Sequence, residues 1–292
     1  MIWSLPFIAS LLFILQSVIL KEYSKLIKRR QIASFDIHVT YSMLAACGLG
    51  LCWIISGAEF SLWSFWTSCG FGICFALTMI CYELAMSEGV LAYSAFCFSA
   101  SMVLPVILSA LFWKEVFNPV QIIGVGLFLV SFYLIMIYGQ RKSDGRLSRS
   151  WYVYATLTLL FNGLIPVFSK IQQTKMQGDQ VFGFLSIGFF VAAICFLILK
   201  RLVPNVSDRA THFWKISTWL KIIMLGLAAG LGNALVTWLS WQLPGVYLFS
   251  AVSGSVIIGL TLISAILYRE TLSPAGGLGV MIGVIAIFFV SW

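Results

Sequence analysis

One carboxylate, three carboxamides and a few hydroxyls stand isolated inside long apolar runs of this sequence. They are the side chains able to do chemistry. Glu83 lies in "ICYELAM". A carboxylate at that depth either serves as counter-ion for a cationic group or as a proton site, or it reaches headgroup water from a helix end. Asn162 lies in "FNGLIPVFSK", ahead of Pro166. Proline lacks an N–H and clashes with the carbonyl four residues earlier, which here belongs to Asn162. A freed carbonyl beside a polar side chain suits a bound solute, while a repaired kink with Asn162 bonded across a helix interface is the bland alternative. Gln16 is its counterpart near the start of the chain. In "GNALVTWLSWQLPG", Asn233 and Thr237 share one helical face, and Trp238 lies roughly 140° round from Asn233. Thr78 and Tyr82 hold the matching part of an earlier segment, and Ser99 and Ser253 fall in the middle of two others.

The elements that must position these residues follow from composition. Of 292 residues, 61% are hydrophobic and 10% charged, far below the roughly 25% charge of a soluble domain. Such a chain spans a bilayer repeatedly, and its runs are too long and too uniformly apolar for barrel strands. The first segment has no basic residues ahead of it and no convincing cleavage site, so it reads as a retained span. Ten spans are expected, near 2–20, 35–55, 63–85, 91–113, 120–138, 152–171, 181–199, 219–241, 246–268 and 275–291.

Lysine and arginine divide unevenly between the two sides. Lys21, Lys25, Lys28, Arg29, Arg30, Arg141, Lys142, Arg146, Arg149, Lys200, Arg201, Arg209, Lys215, Lys221 and Arg269 fall on one side, and Lys114, Lys170 and Lys175 on the other. Basic loops stay cytoplasmic, so a multi-pass protein of the cell membrane with both termini outside is expected. The net charge of +8 then reflects loops near anionic lipid, and no basic stripe points to nucleic acid. The seven cysteines lie inside spans without a CxxC pair or a neighbouring histidine. Neither a metal site nor a cofactor is expected.

The chain also repeats itself. "FWKEVFNP" (112–119) and "LYRETLSP" (267–274) place Lys114 and Arg269, Glu115 and Glu270, and Pro119 and Pro274 each 155 positions apart. "EGVLAYSAF" (88–96) resembles "PGVYLFSAV" (244–252), and "YSK" (23–25) resembles "FSK" (168–170). These markers read as helix punctuation, with Asn118 and Ser273 as N-caps and the prolines at the first helical position. Two five-span halves, 1–140 and 152–292, are therefore expected around a basic linker at 141–151. An odd number of spans inverts the second half, which makes an all-α membrane fold of two inverted repeats.

"YELAMSEGVLAYSAFCFSASMVLPVILSALFWKE" followed by "NPVQIIGVGLFLVSFYLI", and "AVSGSVIIGLTLISAILYRETLSPAGGLGVMIGVIAIFF" in the second half, resemble the EamA-like branch of the drug/metabolite transporter superfamily. The second half has Leu260 near the position of Pro105. The resemblance implies a helical carrier without an ATP-binding domain. Spans 1–4 and 6–9 would surround a central cavity, with 5 and 10 peripheral. Many members of that family keep both termini in the cytoplasm, the reverse of what the charges predict here. The expected function is secondary transport of a small polar metabolite, such as an amino acid or amine, by a monomer or homodimer in the lipid bilayer. A passive channel is the alternative. An integral membrane enzyme is disfavoured, because the only two histidines, His38 and His212, lie near span edges with no nucleophile or metal-ligand pattern around them.

Overall fold

A computed structural model describes residues 2–28, 32–89, 91–113, 118–138, 148–202, 216–269 and 273–291. Among them there are helices and short turns, and no strand. After a 3₁₀ turn at Ile2–Ser4 come α1 (Leu5–Lys28), α2 (Ile32–Ser56), α3 (Leu62–Glu88), α4 (Leu91–Ala100), α5 (Val103–Trp113) and α6 (Pro119–Tyr138). The second half holds α7 (Arg149–Met176), α8 (Val181–Leu202), α9 (Ile216–Gln242), α10 (Gly245–Ile266) and α11 (Pro274–Ser291). Eight stretches are long and apolar enough to cross a membrane, one of them formed by α4 and α5 together, and α6 and α11 contain shorter apolar stretches. Ile54, Ile55, Leu111, Phe112 and Ile266 are among many exposed large apolar side chains. A surface of this kind fits lipid rather than water. The molecule is an all-α fold of the membrane-protein type.

Short polar residues set the helix starts. Ser61 and Ser148 accept bonds from the amides of Ser64 and Trp151. Asn118 Oδ1 accepts from the Gln121 amide at 2.8 Å while Gln121 Oε1 accepts from the Asn118 amide at 3.1 Å. This reciprocal box satisfies two otherwise orphaned donors and starts α6 at Pro119. Ser273 Oγ accepts from the Gly276 amide at 2.9 Å and starts α11 at Pro274. Of the remaining repeat markers, Arg269 sits just past α10 with φ 50°, and Lys114, Glu115 and Glu270 lie outside the described residues.

Two corrections to the expected elements bear on the site. The span expected at 91–113 is two helices, α4 and α5, joined by a turn at Ser101–Met102. Pro105 is the cause. It cannot donate to the Ser101 carbonyl, which is taken by Leu104 N at 3.0 Å, while Met102 N bonds Ser99 O at 3.2 Å. Pro166, by contrast, lies inside an unbroken α7. That helix runs well past the expected 152–171, so Lys170 is buried within it rather than placed in a loop.

Helix packing follows a paired pattern. α3 packs on α7 as α1 packs on α9, and α1 on α10 as α4 and α5 on α7. α2 pairs with α8 and α6 with α11. Contacts also define two ends of the bundle. At one end Lys221 pairs with Glu22, Lys200 with Asp36, and Ser148 Oγ donates to Glu88. At the other, Gln180 Oε1 accepts from Ser61 and Ser64, and Trp113 Nε1 donates to Thr174.

Candidate functional site: a central cavity and a buried His–Glu pair

A cavity lies between α1, α3, the α4–α5 break, α7, α9 and α10. Its open space is about 50 Å³, where one water takes roughly 10–15 Å³ on the same measure. Phe13, Phe75, Phe98 and Phe249 give it four aromatic walls from four helices. Among the described residues no charged side chain lines it.

Six of the expected site residues meet there: Gln16, Ser99, Asn162, Asn233, Thr237 and Ser253. Each has a distinct local state. Gln16 Nε2 donates to Met79 Sδ at 3.3 Å, a weak acceptor. Asn233 Nδ2 turns back to the Ala229 carbonyl at 2.9 Å, and Thr237 Oγ1 donates to Ser169 Oγ at 3.2 Å. Asn162 Nδ2 donates to Phe98 O at 2.8 Å and to Ser101 Oγ at 2.6 Å. Asn162 therefore holds the far side of the α4–α5 break, and the carbonyl it serves is Phe98's rather than its own. Asn162→Ala is expected to lose about 1–3 kcal/mol and to loosen the turn, seen as faster amide exchange at Ser101–Leu104. Ser99 Oγ and Ser253 Oγ are buried and bond no protein group.

Thr78, Tyr82, Glu83 and Trp238 do not line this cavity. α3 faces it with Phe75 and Met79, and the Thr78–Tyr82 line is rotated by one residue, roughly 100°. Thr78 Oγ1 bonds the Cys74 carbonyl at 2.7 Å, and the Tyr82 ring lies 4.6 Å from that of Phe98. Trp238 lines a separate groove of about 690 Å³ with Trp53, Leu12 and Gln180. Asn233 and Trp238 thus serve different spaces on opposite flanks of α9.

Glu83 is buried one turn beyond Met79 and pairs with His38 of α2, Oε2 to Nε2 at 2.8 Å; both side chains are 1% exposed. The His38 ring stacks on Phe196 of α8 at 4.7 Å, and Tyr41 Oη lies 3.3 Å from Nδ1. α2 packs chiefly on α8 and α9, and this pair adds a polar link from it to α3. His38 was read as an edge residue. The usable signal was depth: His38 and Glu83 lie equally far in from the same end on antiparallel neighbours. His212 lies outside the described residues.

Solved structures share this fold. One, described only as "Crystal structure of protein", matches with a TM-score of 0.60 over 96% of this chain and 95% of its own, at 15% identity. That likeness concerns architecture alone. No family model matches the sequence, and no curated protein does. Around the shared architecture, this chain carries a neutral, aromatic-walled cavity and, one turn outside it, a buried ionisable pair. The polar groups in the cavity lining are hydroxyls and carboxamides.

Proposed function

We propose that this chain is a secondary carrier of a small polar metabolite, built as ten spans in two inverted five-span repeats. One observation carries the reading. Among the described residues, the cavity is walled by the first, third and fourth spans of each half. The paired packing of α3 on α7 and α1 on α9 supports the same pseudo-twofold relation, as do the caps at Asn118 and Ser273 in front of Pro119 and Pro274. Two halves of opposite orientation give two conformers of similar energy, open to opposite faces, with the solute held between them. Spans 2 and 7 stand behind spans 3 and 8 rather than at the cavity, and spans 5 and 10 pair at the periphery. The peripheral pairing of spans 5 and 10 is what the resemblance to EamA-like transporters implies, whereas spans 2 and 7, expected around the cavity, do not line it among the described residues. The basic end, carrying Lys21, Arg149, Lys200 and Lys221, is the cytoplasmic one in this reading, which leaves both termini outside the cell membrane. Glu83, now with His38, is the candidate proton-coupling site.

Purified protein reconstituted in liposomes tests the carrier. A thermal-shift screen selects a solute, and its uptake is expected to saturate and to accelerate when the same solute is loaded on the opposite side. Uptake that stays linear with concentration and ignores the opposite side would identify a channel instead. A fluorescent protein fused to the C-terminus is expected to stay dark after export through the Sec pathway, whereas alkaline phosphatase fused there is expected to be active.

A further inference from the structure

The amino acids and amines that the sequence suggests both carry full charges, and the cavity offers no partner for one. Its lining among the described residues is carboxamide, hydroxyl, thioether and phenyl. The nearest charged groups are engaged elsewhere. The Lys170 ammonium, one residue beyond the lining Ser169, sits over the Trp113 ring at 5.0 Å, and the Glu83 carboxylate is held by His38. Bringing an unpaired charge into such a site costs more than hydrogen bonds to neutral groups return.

The polar groups that remain are specific. Asn162, Asn233 and Thr237 spend donors on protein acceptors. Ser99 and Ser253 do not. Their hydroxyls are 2% and 3% exposed as residues, bond no protein atom, and line the same cavity from α4 and α10. A buried hydroxyl without a partner is unfavourable. Two of them, 154 positions apart in the chain, line one cavity together with Phe98 and Phe249.

We infer that the cavity, once opened beyond the about 50 Å³ of this conformer, takes an uncharged solute with a flat apolar body and a single hydroxyl, carbonyl or amide group, the body against the phenyl rings and the polar group at Ser99 and Ser253. The inference rests on the carrier reading for the cavity's role, and the ligand class follows from the lining alone.

A matched series separates charge from shape: 2-phenylethanol, phenethylamine, phenylacetate and phenylalanine, titrated by calorimetry into the full chain in lipid nanodiscs. The alcohol is expected to bind saturably, and the three charged members about tenfold more weakly or not at all. The double variant Ser99→Ala/Ser253→Ala is expected to melt no lower than the parent, because it loses no internal bond. It should bind the alcohol about tenfold more weakly while leaving ethylbenzene binding unchanged. Tighter binding of any charged member overturns the inference. So does alcohol binding that the double variant leaves untouched, or an absence of saturable binding across the series. Binding in the expected pattern without any trans-stimulated exchange keeps the ligand class and removes the carrier. Trans-stimulated exchange of a charged member does the reverse.

Discussion

His38→Leu is expected to destabilise the protein by about 3–5 kcal/mol, because it removes the imidazole bonded to the buried Glu83 side chain. Both side chains are 1% exposed, so solvent screening does not reduce the effect. Thermal unfolding in detergent should show a midpoint lowered on the order of 10 °C. The double variant His38→Leu/Glu83→Leu should recover much of that loss, since two apolar side chains replace a pair whose desolvation already offset most of its attraction. A double variant as unstable as the single one would mean that the pair is not the source of the effect. Glu83→Gln asks a different question. A carboxamide keeps the size and can still accept from the imidazole, so the variant is expected to fold. Its transport should be lost if the carboxylate carries the proton of the cycle. Parent-level transport by Glu83→Gln would remove the pair from the mechanism and leave it as a strut between α2 and α3.

Gly163→Ala is the second change expected to act strongly. α7 crosses the α4–α5 break at Gly163 so closely that an added Cβ would stand 2.6 Å from the Ser101 carbonyl oxygen and 2.8 Å from Leu104 Cβ. The first of these is backbone, so no rotamer change relieves it. Overpacking of this kind costs about 1–3 kcal/mol. In the proposed carrier the larger effect is expected on function, because the added methyl displaces α7 from the turn that Asn162 holds beside the cavity. Loss of uptake with only a modest fall in melting temperature is the expected result. Gly126→Ala is the control: its added Cβ meets nothing within 4 Å, and both uptake and stability should stay at parent levels. If Gly163→Ala transports normally, the close crossing has no part in the cycle.

The sequence carries the helices openly, because apolar runs and terminal caps are local properties. Ser61, Asn118, Ser148 and Ser273 can be read without knowing what packs beside them. The place where a helix breaks cannot. Pro105 and Pro166 look alike in sequence, yet the chain turns at Ser101–Met102 and runs straight through Pro166. What distinguishes them is tertiary: Asn162 supplies donors to Phe98 O and Ser101 Oγ, and Gly163 makes room for the turn. The cavity was half legible for a similar reason. Ser99 and Ser253 are legible because they are polar residues in the middle of apolar spans. Which side of α3 faces inward is not, so Thr78 and Tyr82 fall on the flank beside Phe75 and Met79, while Glu83 shares their line but lies one turn too deep. His38 escaped because a histidine near a span end is unremarkable until its neighbour is known.

The broken helix has one further consequence. α4 and α5 hinge ahead of Pro105, whereas α10 passes Leu260, the equivalent position, without interruption. The two halves therefore share a plan but not a stiffness. If the chain is the carrier proposed above, exchanging their roles returns a state of similar but unequal energy, and the empty protein is expected to rest with one face favoured. Half-saturation measured from the two faces should then differ. Detailed balance fixes the compensation for an uncoupled solute: the ratio of maximal rate to half-saturation constant must be equal in both directions. The face with the tighter constant must be the slower one, and a single proline in one half of a duplicated chain is enough to set that asymmetry.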